Sequence, residues 1–319
     1  MKRITLFSSF LSALLVVVLL SSSANAQQYN YTGNWGPNGF TLTSQKSTGV
    51  NVNFSVTKLY LEDVNVNGAT LKAAKVEGIF LPNDAGKPDL AGTGRYIAIP
   101  QGSTATYRIV SVRTEVIKNV DIAPAPVIPK DDDPRPLKYN KDFSVYGKSS
   151  LYPESPVKLS EPQQIRGVDV VMLGITPFQY NPSTKELTVY KDIQVEVSFV
   201  GGNGQFGNNA FRSRWWEPIL SDAIANYSSL PQIDFSKQYK DMMDAYGYEY
   251  VIIIPNGPDY APWADTLKRF RTAQGIKTGV FKLSQIGGNS VEVIKAWVAN
   301  AYNTWVIKPS AICLMADYS

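Results

Sequence analysis

The 319-residue sequence contains no histidine and a single cysteine, Cys313. The first absence excludes Ser-His-Asp and Cys-His catalysis within these residues, and also zinc sites built on imidazole. The second excludes an intrachain disulfide. Charge excess is small: 31 Lys and Arg face 27 Asp and Glu. Setting Lys2 and Arg3 aside with the leader described below leaves 29 against 27. That balance gives no reason to expect a nucleic acid or an anionic membrane as partner. Beyond Leu20 no stretch is long and apolar enough to span a bilayer. Two-carboxylate chemistry needs no histidine, yet no carboxylate pair marks a glycosidase site, and Asp131, Asp132 and Asp133 read as a solvated loop. No metal-ligand set is legible.

Apolar residues at 44% and charged residues at 18% are an ordinary globular balance, and the length suits about two domains. Residues 1–26 read as a secretory signal peptide. Lys2 and Arg3 supply the positive start, residues 11–20 are nearly all apolar, and Ala24-Asn25-Ala26 is a small-x-small cleavage site that leaves Gln27 as the mature N-terminus. The competing reading is a retained anchor, but residues 4–20 include Ser8, Ser9 and Ser12 and are short for a span.

From residue 27 to about 205, short strand signals alternate with turn residues. Residues 50–56 alternate apolar and polar, which predicts one face on a core and one in water. Residues 60–68 end in Asn67-Gly68, a hairpin signal. Residues 106–116, 168–175, 187–190 and 193–200 add further strands. Few stretches show a helical period, so an antiparallel sandwich or barrel-like domain is expected. One segment interrupts the pattern. Residues 123–139 carry Pro124, Pro126, Pro129, Pro134 and Pro136 and an acidic run, predicting an exposed, extended loop. A surface connection is the plain reading; a loop presented to a partner, offering Lys130, Arg135 and Lys138, is the sharper one.

Residues 201–209 are Gly- and Asn-rich and predict a flexible break. Residues 212–227 then show a helical stripe of Trp216, Ile219, Leu220, Ala223 and Ile224. Residues 206–248 are expected to be a helical junction, exposed enough for a cleavage site. At Tyr250 the style changes. Residues 251–254 are an unbroken apolar run, as expected of a strand covered on both faces. Asp259 as cap, Pro262, and a Trp263, Leu267, Phe270 stripe predict a helix ending at Gly275. A strand through Val280, Phe281 and Leu283 follows. A second helix comes next, with Asn289 and Glu292 as a capping box and Val291, Ile294, Val298, Ala301 and Trp305 as its stripe. Residues 311–315 close a β-α-β-α-β unit, an incomplete parallel sheet, with Asp317 at its carboxyl end.

The opening strand Tyr250-Val251-Ile252-Ile253-Ile254-Pro255, the run of residues 267–278, the helix segment 294–302 and the strand 312–317 resemble the start of the gingipain-type cysteine peptidase domain. That domain has a caspase-like fold. Ala316 stands where the family commonly has Gly. Upstream, Tyr180-Asn181-Pro182 and residues 187–200 are similar to the family's propeptide. The resemblance implies a β-rich propeptide over 27–205 and an incomplete caspase-like α/β subdomain over 249–319. It places a catalytic His and Cys downstream, so no residue here is assigned a catalytic role. Cys313 lies in an early strand and reads as a small buried hydrophobe.

It further implies a zymogen whose propeptide assists folding and keeps its own catalytic domain latent until the junction is cut. Arg212, Arg214, Lys237 and Lys240 are the candidate processing residues, and the loop with Lys130, Arg135 and Lys138 the candidate inhibitory element. Protein or peptide substrates, a secreted or cell-surface location, and calcium in the complete enzyme follow from the resemblance alone. A complete secreted binding or inhibitor protein with a degenerate α/β stub is the rival reading.

Overall fold

A computed structural model of the chain describes residues 26–79, 84–132, 134–236 and 245–316. The expected leader with Ala24, and Asp133, Lys237, Lys240 and Asp317, lie outside the described residues; Ala26 is exposed and Gln27 opens the first strand.

The first unit is made of strands β1 Gln27–Asn30, β2 Gly39–Lys46, β3 Gly49–Ser55, β4 Lys58–Val66, β5 Ala69–Lys75, β6 Thr93–Ala98 and β7 Ser103–Ile117. A single turn of helix, α1 Phe143–Tyr146, precedes β8 Val157–Leu159, β9 Gln163–Ile165, β10 Val168–Ile175, β11 Phe178–Asn181 and β12 Glu186–Gly201. They form three antiparallel sheets: β1-β4-β5; β6-β10-β8 with β9 beside β10; and β11-β12-β3-β2 with β7 along β12. All three turn one face to a shared core. Leu59 and Leu61 come from the first sheet, Ile97, Val171, Leu173 and Ile175 from the second, and Val52, Phe54, Val189 and Val195 from the third. The antiparallel, sandwich-like expectation is met.

Two expected strands at 187–200 are one long strand, whose pairing with β7 shifts register between Tyr190 and Asp192 and again between Gln194 and Val195. Asn67 and Gly68 both take left-handed φ, 52° and 85°, and close the β4–β5 hairpin as that pair does in two-residue loops. The outer face of β3 is not simply in water. Asn53 and Ser55 are buried, with β12 bringing Gln194 opposite the first and Asp192 opposite the second. Asp192 is fully buried. It accepts from Ser55 Oγ at 2.6 Å, Trp35 N at 2.9 Å and Asn34 Nδ2 at 3.3 Å. Its Oδ2 faces the Arg113 guanidinium at 3.2 Å. A buried carboxylate needs such partners, and here they tie the segment before β2 to the sheet.

The expected junction 206–248 differs from its sequence reading. Residues 206–230 are packed on the β unit. Phe206, Leu220, Ile224 and Leu230 cover the second face of β10 through Val168 and Val170. Asn226, fully buried, donates to Ala98 O at 2.9 Å and accepts from Ala98 N at 2.7 Å. Glu217–Ala223 is helical, α2, and Tyr227–Ser229 makes one 3-10 turn. Ile224 turns extended and bridges Tyr96, and Ile219 is left exposed.

The second unit has β13 Tyr250–Ile254 between β14 Thr278–Lys282 and β15 Ala311–Leu314, both parallel to it. Helices α3 Ala261–Ala273, α4 Leu283–Ile286 and α5 Val291–Thr304 connect them. β13 is buried on both faces, as its apolar run predicts. Val251 and Ile253 pack against Ala301, Trp305 and Ile286, and Ile252 and Ile254 against Ala264. Each such burial is worth roughly 1.5–3 kcal/mol relative to exposure.

Four local expectations are corrected. The face of α3 on the sheet is Ala261, Ala264 and Leu267, while Trp263 is 71% and Phe270 56% exposed. Small Ala264 allows the close approach that Trp263 would prevent. Tyr260, not Asp259, sits at the start of α3 and makes no side-chain cap. Ser290 rather than Asn289 caps α5, accepting from Val293 N at 3.3 Å. Val291 of the expected α5 stripe is exposed.

Candidate functional site

Three places carry the candidate residues. The first is the proline-rich loop. Its entry is not exposed as expected: Ile122, Ala123 and Ala125 are buried. Ala125 N donates to Lys87 O at 2.7 Å, and Ala123 O accepts from Asp89 N at 2.8 Å. The chain leaves the surface only at Val127, whose N donates to Lys138 O at 3.0 Å and closes the neck of an excursion over 127–138. Lys130, Arg135 and Lys138 are all exposed on it, next to Ile128, itself 71% exposed. Asp121, just before the loop, meets Lys141, just after it, at 3.4 Å and Lys185 at 3.0 Å. Burial pushes the Asp121 carboxyl up, but the hydrogen bond from Lys185 and the charge of Lys141 outweigh it and hold the group below its ordinary value.

The second place is the seam between the units. Arg212 and Arg214 were expected on a mobile stretch; both are held. Arg212 is 6% exposed. Its Nε and Nη2 donate to Glu217 at 3.0 and 2.6 Å, and Nη1 to Pro231 O at 2.5 Å. The Tyr227 hydroxyl donates to the same carboxylate. A peptidase could not seat this side chain without breaking that network. Arg214 crosses the seam. It donates to both oxygens of Glu249 at 3.0 Å and to Gly275 O at 2.6 Å, and stacks on Trp215 at 4.5 Å. Glu249 also accepts from Trp215 Nε1 at 2.9 Å and Lys277 N at 3.1 Å. Ser213 Oγ lies 2.7 Å from Ser310 Oγ, and Trp216 Nε1 donates to Ser310 O at 3.0 Å.

A residue of the β unit joins this seam. Arg166 and Gly167 form the β9–β10 turn with φ of 50° and 76°, a conformation that costs a residue with a Cβ about 1–2 kcal/mol. The Arg166 guanidinium lies 5.0 Å from the Tyr302 ring of α5 and 5.7 Å from the Trp216 ring, and donates to Pro309 O at 2.9 Å. Burial pulls it below its ordinary value, with Tyr302 acting the other way. Phe211 packs on the same Tyr302 ring at 5.3 Å. The seam encloses a cavity of about 60 Å³ lined by Arg166, Arg214, Glu249 and Lys308, room for a few waters. The sequence reading missed Arg166, Glu249 and Tyr302. A two-residue turn between Ile165 and Val168 was the one available signal, and an Arg-Gly pair is a poor cue for it.

The third place is the carboxyl end of the parallel sheet, where such folds collect ligand and catalytic groups. Asn256 Oδ1 accepts from Ser284 N at 2.8 Å there. Cys313 is half-buried beside Ile252 on β15, consistent with a packing role. At the amino end of β13, burial raises the hydroxyl of Tyr250, with the Cys313 thiol adding to the shift. Among the described residues no three His, Cys, Asp or Glu side chains come together to hold a metal ion.

Comparison with known proteins places these features. The family model Propeptide_C25 matches residues 27–229, and Peptidase family C25 matches 244–319. The chain is thus of the class that joins a propeptide to the beginning of a peptidase domain. By the longer match it belongs to the Propeptide_C25 family, with residues 244–319 similar to Peptidase family C25. Lys-gingipain of Porphyromonas gingivalis is 22% identical over 283 residues, covering 86% of this chain and 16% of the relative. Gingipain R1 of the same organism is 31% identical over 204 residues, covering 62% and 20%. The chain therefore spans a fifth or less of these two relatives. Among solved structures, the complex of Porphyromonas gingivalis RgpB pro- and mature domains matches with a TM-score of 0.52 and 25% identity. That match covers 59% of this chain and 97% of the matched one. The interval 230–243 between the two family matches holds Lys237 and Lys240, whereas Arg212 and Arg214 fall inside the propeptide match.

Proposed function

We propose that this chain is the leading part of a secreted cysteine-endopeptidase zymogen, in which the β-rich domain is a latency propeptide for the peptidase domain that follows it. The supporting observation is the order of the two matches, a propeptide over 27–229 and then a peptidase domain from 244. Thiolate attack on a peptide carbonyl, with histidine handling the proton, belongs to residues beyond those described. The sequence has no histidine, and Cys313 is a strand residue of the core. The loop over 127–138 offers Lys130, Arg135 and Lys138 to a cleft that reads a basic side chain. Processing falls in 230–243, at Lys237 or Lys240, because Arg212 is sealed in the β unit and Arg214 is engaged across the seam. The signal peptide ending at Ala26 sends the precursor out of the cytoplasm. Among the described residues no helix is long and apolar enough to cross a membrane. The inhibitor-protein alternative is not favoured, since the second unit matches a peptidase domain. Calcium in the longer enzyme remains an expectation of family likeness.

The test is a precursor carrying K130A, R135A and K138A together. Peptidase activity before processing should rise above that of the unaltered precursor. Equal latency would remove the loop from the mechanism. K237A with K240A should stall maturation, read as persistence of the uncut band.

A further inference from the structure

The contacts across the seam share one location. Glu249 immediately precedes β13, Lys277 precedes β14 and Ser310 precedes β15. Tyr302 stands in the last turn of α5, and Pro309 in the loop that leads from it to β15. All lie at the amino end of the parallel sheet, opposite the carboxyl end where a cleft forms in such folds. On the other side are Arg166, Phe211, Ser213, Arg214, Trp215 and Trp216, every one within the propeptide match. None of them belongs to the 127–138 loop.

We propose that these residues form a docking clasp, which holds the propeptide on the amino end of the sheet after the 230–243 linker is cut, independently of any loop in the cleft. The inference rests on the zymogen reading only for the cut; the clasp itself stands on geometry. Two unrelated observations carry it. Arg166 keeps a left-handed backbone that glycine would adopt freely, and its Nε finds no acceptor, so local structure gives this position no reason to be arginine. Two rings and a carbonyl on other segments of the chain do: Trp216, Tyr302 and Pro309. Separately, Arg214 makes a paired, charge-assisted contact with Glu249, whose side chain is 9% exposed. Arginine and aromatic anchors of this kind dominate interfaces.

The experiment uses the full chain with the recognition sequence of a site-specific protease placed within 237–243. After cutting, the two parts should co-migrate on gel filtration at micromolar concentration. R166M keeps the bulk and removes the charge; Y302L keeps the bulk and removes the ring. Each should speed separation of the parts on the order of tenfold to hundredfold. The double variant should separate no faster than the quicker single one, which a general loss of folding would not produce. R214A combined with E249A should show the same non-additivity. K130A with R135A and K138A should leave separation unchanged. Parts that fall apart at once in the unaltered chain, or R166M, Y302L and their double separating at the unaltered rate, would overturn the clasp and leave the zymogen reading standing.

Discussion

The two units of the chain bury their strands in opposite ways. In the β unit three sheets share one core, so Leu61, Leu173 and Val195, one from each sheet, are all sealed within it. In the α/β unit one strand, β13, takes the burial on both faces, while Trp263, Phe270, Val291 and Leu314 around it stay exposed. Stability in the first is distributed over many cross-strand contacts. In the second it is concentrated where β13 meets Ala264 and Trp305. The seam links the units through charge-assisted hydrogen bonds and stacking rather than through a common core. The units should therefore unfold as separate transitions, the β unit at the higher denaturant concentration.

The largest expected effect tests the distributed unit. D192A leaves Arg113, Ser55 and the Trp35 amide facing a buried void. Removing one member of a buried ion pair costs about 3–5 kcal/mol. Urea unfolding should show the β transition falling by that amount with the α/β transition in place. A loss under about 1 kcal/mol would mean the network is solvated and the unit less closed than described. Next comes G247A, aimed at the other unit. Gly247 has φ of 125°, and a Cβ there would stand 2.2 Å from Ile307 O. The α/β transition should drop by about 1–3 kcal/mol. If both transitions shift together, the seam makes one cooperative body and the comparison fails.

The two units also differed in how much of them their residues disclosed. In the β unit, alternation identified the strand at 50–56 because one of its faces meets the common core. It could not disclose which polar residues on the other face, Asn53 and Ser55, would be covered. That depended on β12, well over a hundred residues away, which sets Gln194 and Asp192 opposite them. In the α/β unit the apolar run of β13 specified a doubly covered strand directly. Helix α3 misled because it carries two apolar lines, and size chose between them: Ala264 fits against β13 and Trp263 does not. Of the site, the exposed loop with Lys130, Arg135 and Lys138 was legible from proline density. The seam was not, since Arg166 and Arg214 carry no periodic signal and acquire meaning only beside Tyr302 and Glu249.

A smaller effect separates the units by pH. Asp121 sits at the neck of the 127–138 loop with its carboxyl held below the ordinary value. A depressed carboxylate contributes stability above its unfolded value near ~3.9 and loses it as pH falls through the folded value. D121N should therefore cost about 0.2–1 kcal/mol at neutral pH, and its difference from the unaltered chain should vanish near pH 2. Only the β transition should show this. An equal difference at both pH values would assign the loss to packing instead of charge.

The smallest expected effect is the most discriminating for α3. If Trp263 and Phe270 were its core face, W263S and F270S would each cost several kcal/mol, as large-to-small core changes do. With the side chains 71% and 56% exposed, each should move the α/β transition by no more than about 0.5 kcal/mol. Solubility should improve in both, because an exposed aromatic pair two helical turns apart is removed. A large loss on W263S would place Trp263 against the sheet and Ala264 outside it. That would reverse the packing of α3 on β13 and with it the concentration of burial on a single strand.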